Sequence, residues 1–191
     1  MNKKVNKITI ATGGTGGHIF PAYSLAKHFI KKKIDVKITS DKRGLKYLPK
    51  EYHLKTIQIP STTIYKKNIF QIFLSILIIF YALIRALFFL ASNRSDLVFG
   101  MGGYSSFPTC IAAKILKIPF IIYENNLHIG KANRYLLRYA EKVFVSFKEL
   151  EGIQEKFQKK TFQIGNIIRE EILSFEKKFN NSITLFNHFN D

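Results

Sequence analysis

The sequence predicts an open α/β domain, a Rossmann-like doubly wound parallel sheet. Three observations carry that reading. Short runs rich in Ile, Val and Phe alternate with helical patterns along the chain, as in a parallel sheet covered on both faces. Glycine-rich or polar turns follow three of those runs, at the strand ends where such sheets bind ligands. The length, 191 residues, suits one well-buried domain with a tail.

The first strand is expected at Lys7–Thr12. It runs into Ala11-Thr-Gly-Gly-Thr-Gly-Gly-His18-Ile-Phe-Pro21, with four glycines in five residues. Such a loop brings bare backbone N–H groups close to a phosphate or sugar where a Cβ would clash. His18 is the side chain there that titrates near neutral pH. A helix over 20–32 follows, then strands at Asp35–Ser40 and Leu54–Ile59, and a long apolar helix over 69–91. The strand Leu97–Gly100 leads into a second glycine loop, Gly100-Met-Gly-Gly-Tyr-Ser-Ser106, and a helix over 106–117. Phe120–Tyr123 leads into the polar turn Glu124-Asn-Asn126. Helices over 130–139 and 148–158 then alternate with strands at Lys142–Ser146 and Thr161–Ile164.

The first loop fits neither common nucleotide motif. A dinucleotide fingerprint has glycines at i, i+2 and i+5, and from Gly14 the third position is Ile19. A P-loop has a lysine after its glycines, and none lies between Ala11 and Ala26. Neither a nicotinamide dehydrogenase nor a P-loop NTPase is expected.

Thirty Lys and Arg against 13 Asp and Glu give a net charge of +17. That surplus favours a polyanionic partner, but a lysine-rich proteome produces the same balance. No nucleic-acid motif accompanies it, and no nucleic-acid partner is expected. Cys110 stands alone, which excludes an internal disulfide and suits a reducing compartment. Nothing at the N-terminus resembles a secretion signal. His28, His53, His128 and His188 show no metal-ligand spacing, so no metal and no cofactor are expected.

Ile69 to Ala91 carries one charge, Arg85. As a helix it would run roughly 35 Å, enough to cross a ~30 Å hydrocarbon core. Three readings stand: a crossover helix buried on the sheet, the same helix with its outer face in a membrane interface, or a true span. Its position between two sheet strands disfavours the span. In the interfacial reading Phe73, Leu77 and Phe80 enter the bilayer surface, while Lys66, Lys67 and Arg85 meet anionic headgroups. Gln71, Ser75, Ala82 and Arg85 form a weaker stripe on the helix.

These motifs resemble those of the MurG family, the UDP-GlcNAc:lipid I N-acetylglucosaminyltransferases of peptidoglycan synthesis. The resemblance rests on Gly13-Gly-Thr-Gly-Gly-His-Ile-Phe-Pro21, Gly100-Met-Gly-Gly-Tyr-Ser105, Glu124-Asn-Asn126 and Gly165-Asn-Ile-Ile-Arg169, in consistent order over residues 7–175. It implies the N-terminal, acceptor-binding half of a GT-B glycosyltransferase that transfers GlcNAc with inversion, peripheral at the cytoplasmic face of the bacterial inner membrane. Thr15, Gly16, Gly17, Asn126 and Arg169 match family positions that contact the donor. His18, Tyr104, Glu124 and Asn133 match positions important for acceptor binding or catalysis, and Gly102 and Gly103 belong to the second substrate loop. The resemblance implies UDP-GlcNAc and lipid I as substrates and anionic inner-membrane lipids as partners. His18 and Glu124 both stand as the general base. The family has His-Glu-Gln-Asn where this chain has Tyr123-Glu-Asn-Asn126.

Residues 1–170 are expected to form the acceptor-binding domain and 171–191 a tail, with the second GT-B domain absent. Three functional readings follow: the acceptor half of a transferase working with a separate C-terminal donor-binding domain, a non-catalytic module holding polyprenyl-pyrophosphate saccharides at the membrane, or an inactive truncated remnant.

Overall fold

The structure is a computed structural model that describes residues 5–50 and 56–167. Seven parallel strands form one sheet: β1 (Lys7–Ala11), β2 (Asp35–Ser40), β3 (Thr56–Gln58), β4 (Leu97–Gly100), β5 (Phe120–Glu124), β6 (Lys142–Val145) and β7 (Thr161–Gln163). Their order is β3-β2-β1-β4-β5-β6-β7. Direction along the sheet therefore reverses between β1 and β4, which pair in register from Ile8 opposite Leu97 to Ala11 opposite Gly100. A doubly wound sheet opens its ligand crevice at that switch point.

The alternation of side chains along the strands builds two cores. Ile8 and Ile10 of β1, Val36 and Ile38 of β2 and Phe99 of β4 pack with Ile19, Ala22 and Ala26 of helix α1 (Gly16–Lys31). On the opposite face, Ala11, Val98 and Ile122 pack with Cys110, Ala112 and Ala113 of α4 (Gly103–Ile115). Gly100 lets α4 approach, since a Cβ there would lie 2.7 Å from Cys110 Sγ. Burial pushes the Cys110 thiol up to about 12, so it is a packing residue with no thiolate at neutral pH.

The short helix α2 (Lys42–Leu45) was not foreseen from sequence. Asp41 caps it, its side chain accepting from the Gly44 N–H. Helices α1 and α4 begin several residues earlier than their apolar periodicity suggests, inside the two glycine loops. The last helix on the α4 face, α5, spans Lys131–Leu136. Of the expected helix over 148–158, only a 3-10 helix at Glu155–Lys160 forms. Gly152 explains the break. It sits at φ +86°, and a Cβ there would meet Ile129 Cγ2 at 2.9 Å, so the chain kinks instead of continuing a helix. The beginning of the expected strand at Leu54 and the tail from Ile168, Arg169 included, lie outside the described residues.

The apolar helix α3 (Ile69–Ser92) is the crossover from β3 to β4. It is long and apolar enough to cross a membrane by length and composition. Its buried stripe is Ser75, Ala82, Ala86, Phe89 and Leu90. Ser75 and Ala82 thus face inward rather than forming a polar outer surface. The small side chains let α3 lie close against the layer below and leave the large apolar ones outside. Phe73 is 58% exposed, Leu77 48% and Phe80 61%. Lys66, Lys67 and Arg85 are exposed as well.

Candidate functional site

Three loops meet at the carboxyl edge of the switch point. The first leaves β1 at Thr12 and enters α1 with Thr15 at its N-cap, whose side chain makes no capping hydrogen bond. The second leaves β4 at Met101 and enters α4 through Gly102, at φ +89° and likewise without a side-chain cap. Two helix N-termini therefore point their first-turn N–H groups and positive dipole ends at the same crevice. That is the field an anionic pyrophosphate requires.

His18 is the side chain on which the loops converge. A Cβ on Gly102 would lie 3.0 Å from its Cε1 and 3.1 Å from its Nδ1, and one on Gly103 would lie 3.4 Å from its Cδ2. The glycines exist there so that backbone can lie against the imidazole. Burial lowers the His18 pKa below 6.5, while the charge of Glu124 and a hydrogen bond with the Met101 backbone pull in the opposite direction and do not prevail. The ring is therefore neutral at neutral pH. Its Nδ1 is buried and has no hydrogen-bond partner among the described residues.

Glu124 occupies a different environment. Oε1 accepts from the Asn126 backbone N–H at 3.1 Å and its Nδ2 at 2.7 Å. Oε2 accepts from the Gly130 N–H at 2.8 Å and from Asn133 Nδ2 at 3.0 Å. Four donors thus fix a carboxylate that is 2% exposed, and it holds the 125–133 loop in place. Asn126 is oriented by that carboxylate. Asn133, on α5, also donates to the Tyr123 carbonyl at 3.2 Å, and its buried Oδ1 has no partner among the described residues.

Of the sequence-derived positions, Thr15, Gly16, Gly17, His18, Gly102, Gly103, Glu124, Asn126 and Asn133 fall on these three loops and on α5. Tyr104 lies in the first turn of α4, 37% exposed. Arg169 is outside the described residues. The membrane-contact set lies elsewhere, on α3 and the turn before it.

Two further residues shape the site and were not singled out from sequence. Asp41 Oδ1 accepts from the Gly14 N–H at 2.9 Å, so β2 pins the glycine loop of β1. A carboxylate after a strand and three residues before a glycine is an N-cap signal that would have flagged it. Asn125, the third residue of the Tyr-Glu-Asn-Asn turn, donates from Nδ2 to the Gly17 carbonyl at 2.9 Å. Its Oδ1 is also buried without a partner among the described residues. The first residue of that turn, Tyr123, does not enter the crevice. Its hydroxyl donates to the Gly165 carbonyl at 3.2 Å and accepts from the Ile167 N–H at 3.1 Å, tying the segment after β7 to the sheet.

A doubly wound domain thus carries two uncapped helix N-termini, a half-buried histidine and bare glycine backbone at its switch point. Residues 8–145 match the glycosyltransferase family 28 N-terminal domain, and the chain belongs to that family. A relative from Pelagibacter ubique, a UDP-N-acetylglucosamine–N-acetylmuramyl-(pentapeptide) pyrophosphoryl-undecaprenol N-acetylglucosamine transferase, is 34% identical over 98% of this chain and 51% of its own length. The Acinetobacter baumannii MurG crystal structure superposes with a TM-score of 0.66 at 26% identity, over 84% of this chain and 45% of that one. A UDP-GlcNAc 2-epimerase from Methanocaldococcus jannaschii, with TM-score 0.60 at 18% identity over 84% and 45% of the two chains, shares the fold. The chain spans about half the length of the curated relatives it matches.

Proposed function

We propose that this domain is the acceptor-binding half of a transferase that moves N-acetylglucosamine from UDP-GlcNAc to lipid I, working with a donor-binding domain. Residues 1–170 form the acceptor half in this reading, with 171–191, outside the described residues, as its tail. The observation that carries it is the neutral His18 imidazole, with an unpartnered Nδ1, pressed against the Gly102–Gly103 backbone. His18 is the general base: it takes the proton of the acceptor hydroxyl as that oxygen attacks the anomeric carbon and UDP departs with the bonding electrons, inverting the centre. A base must be unprotonated before it acts, and burial keeps His18 so. Glu124, engaged by four donors, positions Asn126 and Asn133 for substrate. The N-termini of α1 and α4, through Thr15, Gly16, Gly17, Gly102 and Gly103, hold pyrophosphate charge. Tyr104 borders the acceptor, and Arg169 completes the donor contacts.

The exposed apolar face of α3 supports a place at the membrane surface. Phe73, Leu77 and Phe80 enter the interface of the cytoplasmic leaflet of the inner membrane, and Lys66, Lys67 and Arg85 meet anionic lipid. The acceptor is a membrane lipid in this reading, so docking brings the crevice to it. The test is reconstitution. The chain is mixed with the C-terminal half of a homologous transferase, UDP-GlcNAc and a lipid I analogue, and the GlcNAc-bearing lipid is measured. Product should require both halves and form at least about a hundredfold more slowly with His18→Ala. Product formation unaffected by His18→Ala would overturn the assignment of the base.

A further inference from the structure

We propose that the apolar cavity beside Tyr104 is a subsite for the first isoprenyl units of a polyprenyl diphosphate. This rests on the acceptor reading above and adds where the lipid chain of that acceptor goes. The cavity measures about 290 Å³ and lies between the 60–65 loop and helices α3, α4 and α5. Ile64, Ile79, Phe107 and Ala132 line it, and its walls are almost wholly apolar. It is separate from the outward α3 face of Phe73, Leu77 and Phe80, none of which lines it.

Three features select the occupant. First, the cavity adjoins the catalytic crevice through one residue. Tyr104 forms part of its wall, and the preceding Gly103 lies against the His18 ring. Second, a cation stands in the same wall: Lys131 lines the cavity, with its Nζ 3.6 Å from the Tyr65 ring centre. Third, Lys131 and Tyr65 also line a polar cleft that carries Arg134, Arg138 and Lys156. The two spaces share a wall, so the cleft adds positive charge beside the cavity. The Pelagibacter ubique relative acts on an N-acetylmuramyl-(pentapeptide) pyrophosphoryl-undecaprenol, as its name states, in which a diphosphate joins a branched apolar chain to a sugar.

The same chemistry of apolar chain and anionic head occurs in bulk phospholipids, and the test separates the two. The full chain is titrated by calorimetry with inorganic pyrophosphate, farnesyl diphosphate and dihexanoyl phosphatidylglycerol kept below its micelle concentration. Farnesyl diphosphate should bind at least about tenfold more tightly than pyrophosphate, because burying even two methylene groups is worth that much. Ala132→Phe, which fills the cavity, and Ile64→Glu, at a position already 42% exposed, should each remove that advantage and leave pyrophosphate affinity unchanged. Circular dichroism confirms folding, and Ile64→Glu keeps the test intact if Ala132→Phe does not fold.

Equal affinity for pyrophosphate and farnesyl diphosphate overturns the subsite. So does an advantage that survives Ile64→Glu in the folded protein. Phosphatidylglycerol binding as tightly as farnesyl diphosphate, with the same sensitivity to the variants, makes the cavity a membrane-lipid site and overturns it too. If pyrophosphate binds and Gly102→Ala weakens it, the acceptor reading stands whatever the cavity does. If neither diphosphate binds the wild-type chain, both readings fall.

Discussion

Gly102 lies against the His18 imidazole so closely that a methyl group on it would sit 3.0 Å from Cε1. The residue also adopts φ +89°, a conformation that L side chains rarely take. Backbone conformation and ring contact both demand glycine at this one position, and both act on the candidate base.

Gly102→Ala is therefore expected to destabilise the domain by about 1–2 kcal/mol from backbone strain and to displace His18. Urea unfolding measures the first effect. Binding of a diphosphate probe to the folded variant measures the second, with a loss of tenfold or more expected. A variant as stable as wild type and equally able to bind would contradict the contact.

His18 should titrate below 6.5, the direction set by its burial against the weaker pull of Glu124 and the Met101 backbone. A folded pKa below the unfolded one means the unfolded chain binds the proton first. Stability from this group is therefore full above about 6.5 and falls as pH drops toward the folded pKa. NMR titration of the His18 Cε1 proton reads the pKa directly, and His18→Gln should flatten the stability slope in that window. In the reconstituted reaction, His18→Ala should lower turnover by about 10²–10⁴.

Asp41 predicts a different pH window. Burial alone would raise its pKa, but hydrogen bonds from the Gly14 and Gly44 N–H groups, the Ser61 hydroxyl and Arg43 outweigh it and hold the carboxyl below 3.8. The stability it contributes is present above that usual value and is lost as pH falls through the depressed one. Asp41→Asn should cost about 1–3 kcal/mol at pH 7, with the difference from wild type shrinking in acid. Denaturant titrations at pH 7 and pH 3 check this. A constant difference at both pH values would remove the charge from the explanation.

Reversing charge at Lys66 and Lys67 tests the membrane reading. Each basic residue near an anionic surface contributes about 1 kcal/mol, so Lys66→Glu with Lys67→Glu should weaken binding to phosphatidylglycerol vesicles by roughly tenfold or more. Phe73→Ser with Phe80→Ser should weaken it with little dependence on salt, because these side chains act by burial. Co-sedimentation at two ionic strengths separates the effects. Full recovery of the wild-type chain in the supernatant at low salt would defeat the reading.

The sheet and the three strand-end loops were legible because their signals are local. β-branched runs and glycines after strands depend on φ/ψ preferences that each residue carries with it. The expected helix over 148–158 failed for a non-local reason, since Gly152 takes its positive φ where its backbone meets Ile129. Asp41 and Asn125 were missed because each acts across the chain, on Gly14 and Gly17. The Tyr123 position, where the turn departs from the family pattern, proved to face Gly165 and Ile167 rather than the crevice.

The amino-acid sequence alone determined the doubly wound class, the order of its elements and the presence of His18 in a glycine-rich loop, since these follow from periodicity and conformational preference along the chain. Tertiary structure decided which carboxylate is engaged and which imidazole nitrogen is left without a partner, and which side of α3 is buried. Those outcomes depend on what lies opposite each side chain in space. For Glu124 that is the set of amides from Asn126, Gly130 and Asn133. For His18 it is the bare backbone of Gly102 and Gly103, which shields the ring from water and leaves its Nδ1 without a partner among the described residues.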